Sequence, residues 1–435
     1  MKSGSFWAPV GVGVLAMVIV ATFWRALPAA YLVNESSDYS TFYEPVARRI
    51  LAGEGLTQAD GTAATRYPPG FPLLLAGLFG LAARLGLPEA TVLNGFILAC
   101  SGLASVCLFG LARTVWNGRW AWAAALAWMT YPFMLWLTKQ PNSEIPFIPA
   151  LYGSIGLFWW GMQRRRGQGW LIFLAGALIG AAMLIRPMAL GLGALLALLL
   201  WALGDHLTQR RRLGLMALLL LGNLVVVGPW EAWAYARSGE IIPLSSGGAL
   251  TVRDGVTFLV MPKEYRQGVP LAPDLEELLQ AIYARRAEMV SPGGVVGVTL
   301  EEGRQRPLAL GKLIALKAAR SWYATDSNRL EQITLLVQAG YLALIAAGAW
   351  AAWRQGGGAR RATLLVGALA LYFWAMTMLV VPLLRYTLPA MGLLLLLAPG
   401  ALRETAAAAQ RLYSGGAASI NSQNLNTLKR DPGVD

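Results

Sequence analysis

Charge is scarce in this chain: only 14% of its 435 residues are Asp, Glu, Lys or Arg, against about 25% in soluble globular domains. It holds one histidine, His206, and two cysteines, Cys100 and Cys107. A single histidine excludes a haem ligand pair or a His-rich zinc centre. Two cysteines inside one apolar run leave neither a disulfide framework nor a thiolate cluster. They stand seven apart on one helix face and read as small buried hydrophobes. Acidic residues are few, 23 against 36 basic, for a net charge of +13. Such an excess can mark a nucleic-acid binder, but the basic stripe then sits on one soluble domain. Here the Lys and Arg residues recur between apolar runs, which excludes nucleic acid as the partner. Apolar residues are what the chain has in plenty: 56% are hydrophobic, with 48 glycines, 17 tryptophans and a mean hydropathy of +0.51. That is the composition of an integral membrane protein, where glycine is tolerated in spanning helices and tryptophan collects at the interfaces.

Apolar stretches near the roughly 20 residues needed to cross a bilayer fall at about 6–24, 90–112, 120–138, 145–162, 170–185, 188–203, 214–233, 331–352, 363–382 and 386–402. The expected fold is therefore all-α and integral to the membrane, with about ten transmembrane helices. The first stretch is too long for a signal-peptide core and lacks a small-residue cleavage site, so it reads as an anchor. The segment from Pro68 to Ala83 is read as not crossing, because only Leu73 to Ala83 is cleanly apolar. Parity supports this. Without a crossing there, the short loops holding Arg113 and Arg119, Arg164 to Arg166, Arg210 to Arg212, and Arg354 with Arg360 and Arg361, and the tail from Arg403, all share the N-terminal side. The positive-inside rule then makes that side cytoplasmic.

Four regions follow: 1–235, an N-terminal membrane core whose first outer loop (34–89) carries the chemistry; 236–329, a long extracytoplasmic loop between spans seven and eight; 330–402, C-terminal transmembrane helices; and 403–435, a cytoplasmic tail whose Ser, Gly and Asn content after Tyr413 reads as disordered. The first outer loop is expected to hold an interfacial helix, with Phe42, Tyr43, Val46, Ala47, Ile50 and Leu51 on one face. Ser36 or Ser37 would cap it, Asp38 falls in its first turn, and Gly53 to Gly55 end it. The long loop shows helical patterns at Pro273 to Met289 and at Pro307 to Trp322. The second, with Lys312, Lys317 and Arg320 among leucines, reads as a basic interfacial helix.

A charge at membrane depth costs about 2.5 to 3.5 kcal/mol on insertion scales, so each one needs a reason. Arg186 stands beside Pro187 at the turn between two short spans, and Arg385 at the outer mouth of the last two. Either they snorkel to the headgroups, or their guanidinium forks grip a phosphate held at the surface. Asp38 is either a helix-capping residue or a reactive carboxylate at a helix N-terminus. Glu144, in the short outer loop before the fourth span, is either an ion-pair partner of Lys139 or a second site acid. Two acids and two arginines from four separate loops converge on one face, and this favours the functional reading of each.

The same residues carry a family resemblance. Asp38-Tyr39-Ser40-Thr41-Phe42-Tyr43, then Arg66-Tyr67-Pro68-Pro69-Gly70-Phe71-Pro72, Asn142-Ser143-Glu144-Ile145-Pro146-Phe147, Gly176 to Gly180 leading to Arg186-Pro187, Gly228-Pro229-Trp230, Ser245-Ser246-Gly247-Gly248 and Arg385-Tyr386-Thr387-Leu388-Pro389 follow one another in order over about residues 1–402. The series resembles the polytopic glycosyltransferases of the C superfold, among them protein O-mannosyltransferases and lipid A aminoarabinose transferases. The resemblance implies an enzyme of the cell envelope, in a prokaryotic plasma membrane. It would move a sugar with inversion from a polyprenyl-phosphate donor to a lipid, glycan or protein acceptor on the outer face. It makes Asp38 the catalytic carboxylate and Glu144 the acceptor- or metal-binding acid, while Arg66, Arg186, Arg385 and Tyr386 would hold the donor phosphate. Where the aminoarabinose branch has a lysine this chain has Pro68, so Arg66 takes that role or the role is absent. Relatives also carry an arginine soon after the Pro-Trp, where this chain has Glu231. No cofactor is implied with certainty; Asp38 and Glu144 could share one divalent cation. The competing readings are a transporter or flippase of lipid-linked sugars, without transfer chemistry, and a structural membrane subunit.

Overall fold

The computed structural model describes residues 7–34, 36–164, 166–257, 271–325, 330–406 and 410. Its architecture is a helical bundle. Helix α1 (Trp7–Ala26) is followed by a short π-helical turn (Tyr39–Tyr43) and α2 (Glu44–Leu51), then α3 (Gly70–Leu85), α4 (Glu89–Val115), α5 (Gly118–Met129), α6 (Pro132–Leu137), α7 (Glu144–Gln163), α8 (Gln168–Ile185), α9 (Leu192–Leu203) and α10 (Gln209–Ser238). The segment after α10 contributes α11 (Gly248–Thr257), α12 (Pro273–Ala284), α13 (Pro292–Gln305) and α14 (Pro307–Arg320). The chain returns through α15 (Glu331–Gln355), α16 (Gly357–Leu379) and α17 (Leu384–Leu395). No strand occurs among the described residues, where one isolated bridge, Thr57 to Ala63, is the sole β pairing.

Among the described residues, eight helices are long and apolar enough to cross a membrane: α1, α4, α7, α8, α10, α15, α16 and the stretch from Leu384 to Ala406. The expected third and sixth spans are shorter than the sequence suggested, for a backbone reason. The stretch 120–138 divides at Tyr131, which precedes Pro132 and is extended (φ −67°, ψ 113°), as steric clash with a following proline ring favours. The stretch 188–203 begins with a 3-10 turn and turns left-handed at Gly191 (φ +87°), so its α-helix is only the 12 residues of α9. The segment read as non-crossing forms α3, 16 residues long and below spanning length.

Small residues let the helices approach. α8 packs along α10, and a Cβ on Gly176 would overlap the Leu219 carbonyl, while one on Gly222 would overlap the carbonyl of Phe173. Gly180 faces the Asn223 carbonyl at the same seam, giving the small-xxx-small spacing that close packing in lipid relies on. Gly13 and Gly102 do the same between α1 and α4. α7 and α17 are deeply enclosed, and in α7 Phe147, Tyr152 and Phe158 are fully buried. Cys100 is buried and Cys107 half-buried, both in α4 and both unbonded.

Between α10 and α15 the described residues form four α-helices where the sequence pattern showed two. α12 and α14 meet the expectation in position. α12 ends at Ala284, with a 3-10 turn at Arg286–Glu288 completing the expected stretch. The reading of α14 as a helix presenting its basic residues is corrected. Lys317 and Arg320 are buried, Lys317 donating to the Gly255 carbonyl (2.8 Å) and Arg320 pairing with Glu331 (2.8 Å), whereas Leu308 and Ile314 are exposed. Tertiary partners on α11 and α15 outcompete water for these two cations. The expected tail from 411 on lies outside the described residues.

Candidate active site

The loop between α1 and α3 folds as its pattern suggests, with one addition. Ser36 acts as the cap, its hydroxyl accepting the Tyr39 N–H at 3.4 Å. Gly53 and Gly55 end the helix with left-handed backbone, φ +81° and +76°. The addition is the π turn at Tyr39–Tyr43. Pro45 has no N–H to give a continuous helix, and the widened turn just before it absorbs the missing bond. Phe42, Tyr43, Val46 and Ala47 are buried as expected, while Leu51 is half exposed.

Asp38 stands at the start of this turn. Its Oδ1 accepts a hydrogen bond from the Tyr67 hydroxyl at 2.9 Å. Tyr67 belongs to the Arg66-Tyr67-Pro68-Pro69-Gly70 loop, which docks on the end of α8: a Cβ on Gly70 would lie 2.5 Å from the Leu184 carbonyl oxygen. Only glycine allows that approach. Arg66 is exposed, with its guanidinium 5.4 Å from the Tyr67 ring centre. Tyr43 stacks beside Tyr67 with ring centres 5.1 Å apart, and Phe42 meets Tyr67 edge-on at 5.0 Å.

α8 stops at Ile185 because Pro187 forces Arg186 into extended backbone (φ −144°, ψ 129°). This frees the Arg186 side chain, 14% exposed, to reach the first turn of α7. Its Nη1 lies 2.6 Å from Glu144 Oε2 and donates to Ser143 Oγ at 2.8 Å. Glu144 pairs with Arg186, not with Lys139, whose amine lies over the Trp136 ring. The Arg186 guanidinium also lies 5.4 Å from the centre of the Tyr386 ring. Arg385 covers the same ring at 4.8 Å, and its Nη2 donates to the Tyr386 hydroxyl at 2.8 Å. Both residues occupy the first turn of α17, at the positive end of the helix dipole.

Tyr43 joins the two halves. Its hydroxyl is pushed well above the usual phenol range, first by burial and then by the charges of Asp38 and Glu144; the charge of Arg186 opposes this without cancelling it. Tyr67 is raised likewise by burial, then by the charge and hydrogen bond of Asp38. Both phenols therefore stay protonated at any physiological pH, and Tyr67 remains a fixed donor to Asp38.

The structure thus gathers the six predicted residues into two contact groups, Asp38 with Arg66 around Tyr67, and Glu144, Arg186, Arg385 and Tyr386 with Ser143. Three other residues complete the arrangement: Tyr67, Ser143, and Tyr43, which feels the charges of both groups. Tyr43 lay on the apolar face of an amphipathic pattern and read as packing. Tyr67 sat inside the motif between Arg66 and Pro68, so its signal was present. Ser143 offered none beyond its neighbour Glu144.

The donor set does not suit a resident divalent cation. Such an ion wants six or more oxygen ligands, yet Glu144 already faces a guanidinium and Asp38 a phenol. Among the described residues, no group of three His, Cys, Asp or Glu side chains could hold a metal.

Residues 66–233 match the dolichyl-phosphate-mannose-protein mannosyltransferase family. No curated protein matches the chain. Among solved structures, the oligosaccharyltransferase of Archaeoglobus fulgidus in its apo form superposes with a TM-score of 0.56 at 13% identity, covering 97% of this chain and 53% of its own. The same protein in complex with an inhibitory peptide and a dolichol-phosphate gives 0.55 at 14% identity, covering 95% and 52%. ArnT from Cupriavidus metallidurans bound to undecaprenyl phosphate is 17% identical over 92% of this chain and 77% of its own, at a TM-score of 0.42. The chain spans about half the length of the oligosaccharyltransferase. The superposition, over 97% of this chain, gives it the fold of the matching part of that oligosaccharyltransferase.

Proposed function

We propose that the chain is a glycosyltransferase that takes its sugar from a polyprenyl-phosphate carrier. The observation that carries this reading is the junction of two unlike halves: an acid held by a phenol, and a cationic wall made by Arg186 and Arg385 around Tyr386. An anion-holding wall beside a positioned acid is what displacement of a phosphate from an anomeric carbon requires. The family match over residues 66–233 and the shared fold support it. The oligosaccharyltransferase with this fold was captured with a dolichol-phosphate and a peptide, in keeping with a lipid-phosphate donor.

In the proposed reaction the acceptor hydroxyl oxygen attacks the anomeric carbon from the face opposite the phosphate, so configuration inverts. The C–O bond to phosphate breaks, and the electron pair leaves with the polyprenyl phosphate. Arg186, Arg385 and Arg66 stabilise the charge that grows there, an effect largest in a site closed to water. Asp38, oriented by Tyr67, takes the hydroxyl proton late, when the attacking oxygen has become acidic. Glu144 orients the acceptor once a phosphate engages Arg186. The basic short loops at the other end of the bundle support an extracytoplasmic site.

The test is transfer of radiolabelled sugar from membranes enriched in polyprenyl-phosphate sugars. Asp38→Asn and Arg385→Ala should each abolish transfer at unchanged expression, Asp38→Asn by about 100-fold or more. Should no donor yield transfer, while lipid-linked sugar crosses the membrane equally well with Asp38→Asn, the transporter reading replaces this one.

A further inference from the structure

The long outer segment is fastened to the candidate active site through a turn that α10 clamps. Trp230 donates its indole Nε1–H to the Leu244 carbonyl at 3.0 Å, and the neighbouring Glu231 accepts the Leu244 N–H on Oε1 at 2.8 Å. Leu244, held between them, is the only non-glycine residue among those described with left-handed backbone, at φ +59°. It is also buried, at 1% exposure. A branched side chain avoids this conformation unless its surroundings over-determine it.

Two residues further on, the chain meets the first outer loop edge to edge. The Ser246 N–H donates to the Thr65 carbonyl at 2.8 Å and the Gly247 N–H to the Arg66 carbonyl at 3.2 Å. The hydroxyls of Thr65 and Ser246 lie 3.1 Å apart. A Cβ on Gly247 would stand 2.6 Å from the Arg66 carbonyl oxygen, so the contact needs glycine. Arg66 and Tyr67 follow directly, and Tyr67 is the residue that holds Asp38.

We propose that Glu231 is a positioning residue. By fixing Leu244 in its left-handed turn it aims Ser246 and Gly247 at Thr65 and Arg66, and so sets Arg66 and the Tyr67–Asp38 pair where the donor meets them. The carboxylate is the one charged group in the clamp, and its acceptor bond to a backbone N–H is of the stronger class. Without it the turn relaxes toward ordinary backbone, and the Ser246–Gly247 edge swings off its partner. The kinetic part of this proposal rests on the glycosyl-transfer reading; the fastening itself does not.

The experiment uses the full chain in membranes, with Cys100→Ala and Cys107→Ala as background and Thr65→Cys with Ser246→Cys as a reporter pair. Copper phenanthroline oxidation, followed by gel shift after protease cleavage between the two sites, reads how often the two edges meet. Glu231 and Glu231→Gln should cross-link at similar rates, since the amide oxygen still accepts the Leu244 N–H. Glu231→Leu should cross-link about tenfold more slowly. In transfer assays without the cross-link, Glu231→Leu should raise the KM for a polyprenyl-phosphate sugar about tenfold with kcat little changed. Once formed, the cross-link should restore KM in Glu231→Leu, and reduction should undo the rescue.

Cross-linking at the parent rate in Glu231→Leu overturns the proposal. So does a formed cross-link that leaves KM raised, because Glu231 would then act on folding alone. Absence of transfer by every form, beside cross-linking that still depends on Glu231, would sink the transferase reading and leave the fastening standing.

Discussion

The pair formed by Glu144 and Arg186 gives the sharpest prediction, because its two halves should respond differently to the same ligand. The charges are 2.6 Å apart, with side chains 7% and 14% exposed. At an effective dielectric near 20 their attraction is about 6 kcal/mol, and much of it offsets the cost of removing both from water. What breaking the pair reveals is the uncompensated partner, about 3 to 5 kcal/mol. In a thermal-shift assay that is a fall of about 3 to 6 °C for either Glu144→Gln or Arg186→Gln. The two variants should part when polyprenyl phosphate is added. Glu144→Gln leaves a buried cation that a phosphate can neutralise, so ligand at about 100 times its Kd should return roughly 2.7 kcal/mol or more. Arg186→Gln leaves a buried anion, which a second anion only worsens, so the ligand should return little. Equal recovery in both variants, or none in Glu144→Gln, would refute the view that Arg186 exchanges its carboxylate for a phosphate.

Three further outcomes follow from the packing and the proton chemistry. Gly222→Ala should lower thermal stability by about 1 to 3 kcal/mol, because the new methyl meets the Phe173 backbone, whereas Gly367→Ala, which opens on free space in α16, should be neutral or stabilising; similar losses in both would remove the close α8–α10 seam from the argument. Tyr67→Phe should leave the fold intact and lower kcat for sugar transfer without changing the KM for donor, since it removes the donor to Asp38 and little else; an unchanged kcat would show that Asp38 needs no such orientation. Lys317, in the outer segment, is lowered by burial to about 7 from 10.5. Between those values the unfolded chain binds a proton that the folded one does not, so stability should rise with pH from about 7 toward 10.5, and below about 7 the full burial penalty applies. Melting curves at pH 7 and pH 9 should show wild type gaining up to about 2.7 kcal/mol relative to Lys317→Met; parallel behaviour of the two proteins would contradict this.

How far the sequence could be read depended on whether each signal was local. The scarcity of charge, the apolar runs and the alternation of basic loops follow from a bilayer that admits few charges and needs helices to satisfy every backbone group. They are therefore written along the chain, and α1, α4, α7, α8, α10, α15 and α16 stand close to where the runs lie. The divisions at Tyr131 and Gly191 were partly legible too, since Pro132 and Gly191 are visible as letters, but an apolar count over 19 residues averages them away. The basic face of α14 misled for the opposite reason. Lys317 and Arg320 look like a surface stripe until Gly255 and Glu331, distant in sequence, arrive to receive them.

The site divides along the same line. Sequence alone determined the residue types, an acid at a helix start and arginines beside prolines at the ends of spans, because capping and pre-proline backbone are properties of neighbours in the chain. Only the tertiary structure decided their pairing: that Arg186 takes Glu144, that Tyr67 takes Asp38, that Tyr43 stands between the two, and that Glu231 holds a turn which reaches back to Arg66. Pairing is a matter of distances between helices, and those are fixed by where glycines such as Gly70, Gly176 and Gly222 let backbones touch. A glycine in the sequence states that close approach is allowed; which backbone approaches is settled only when the bundle assembles.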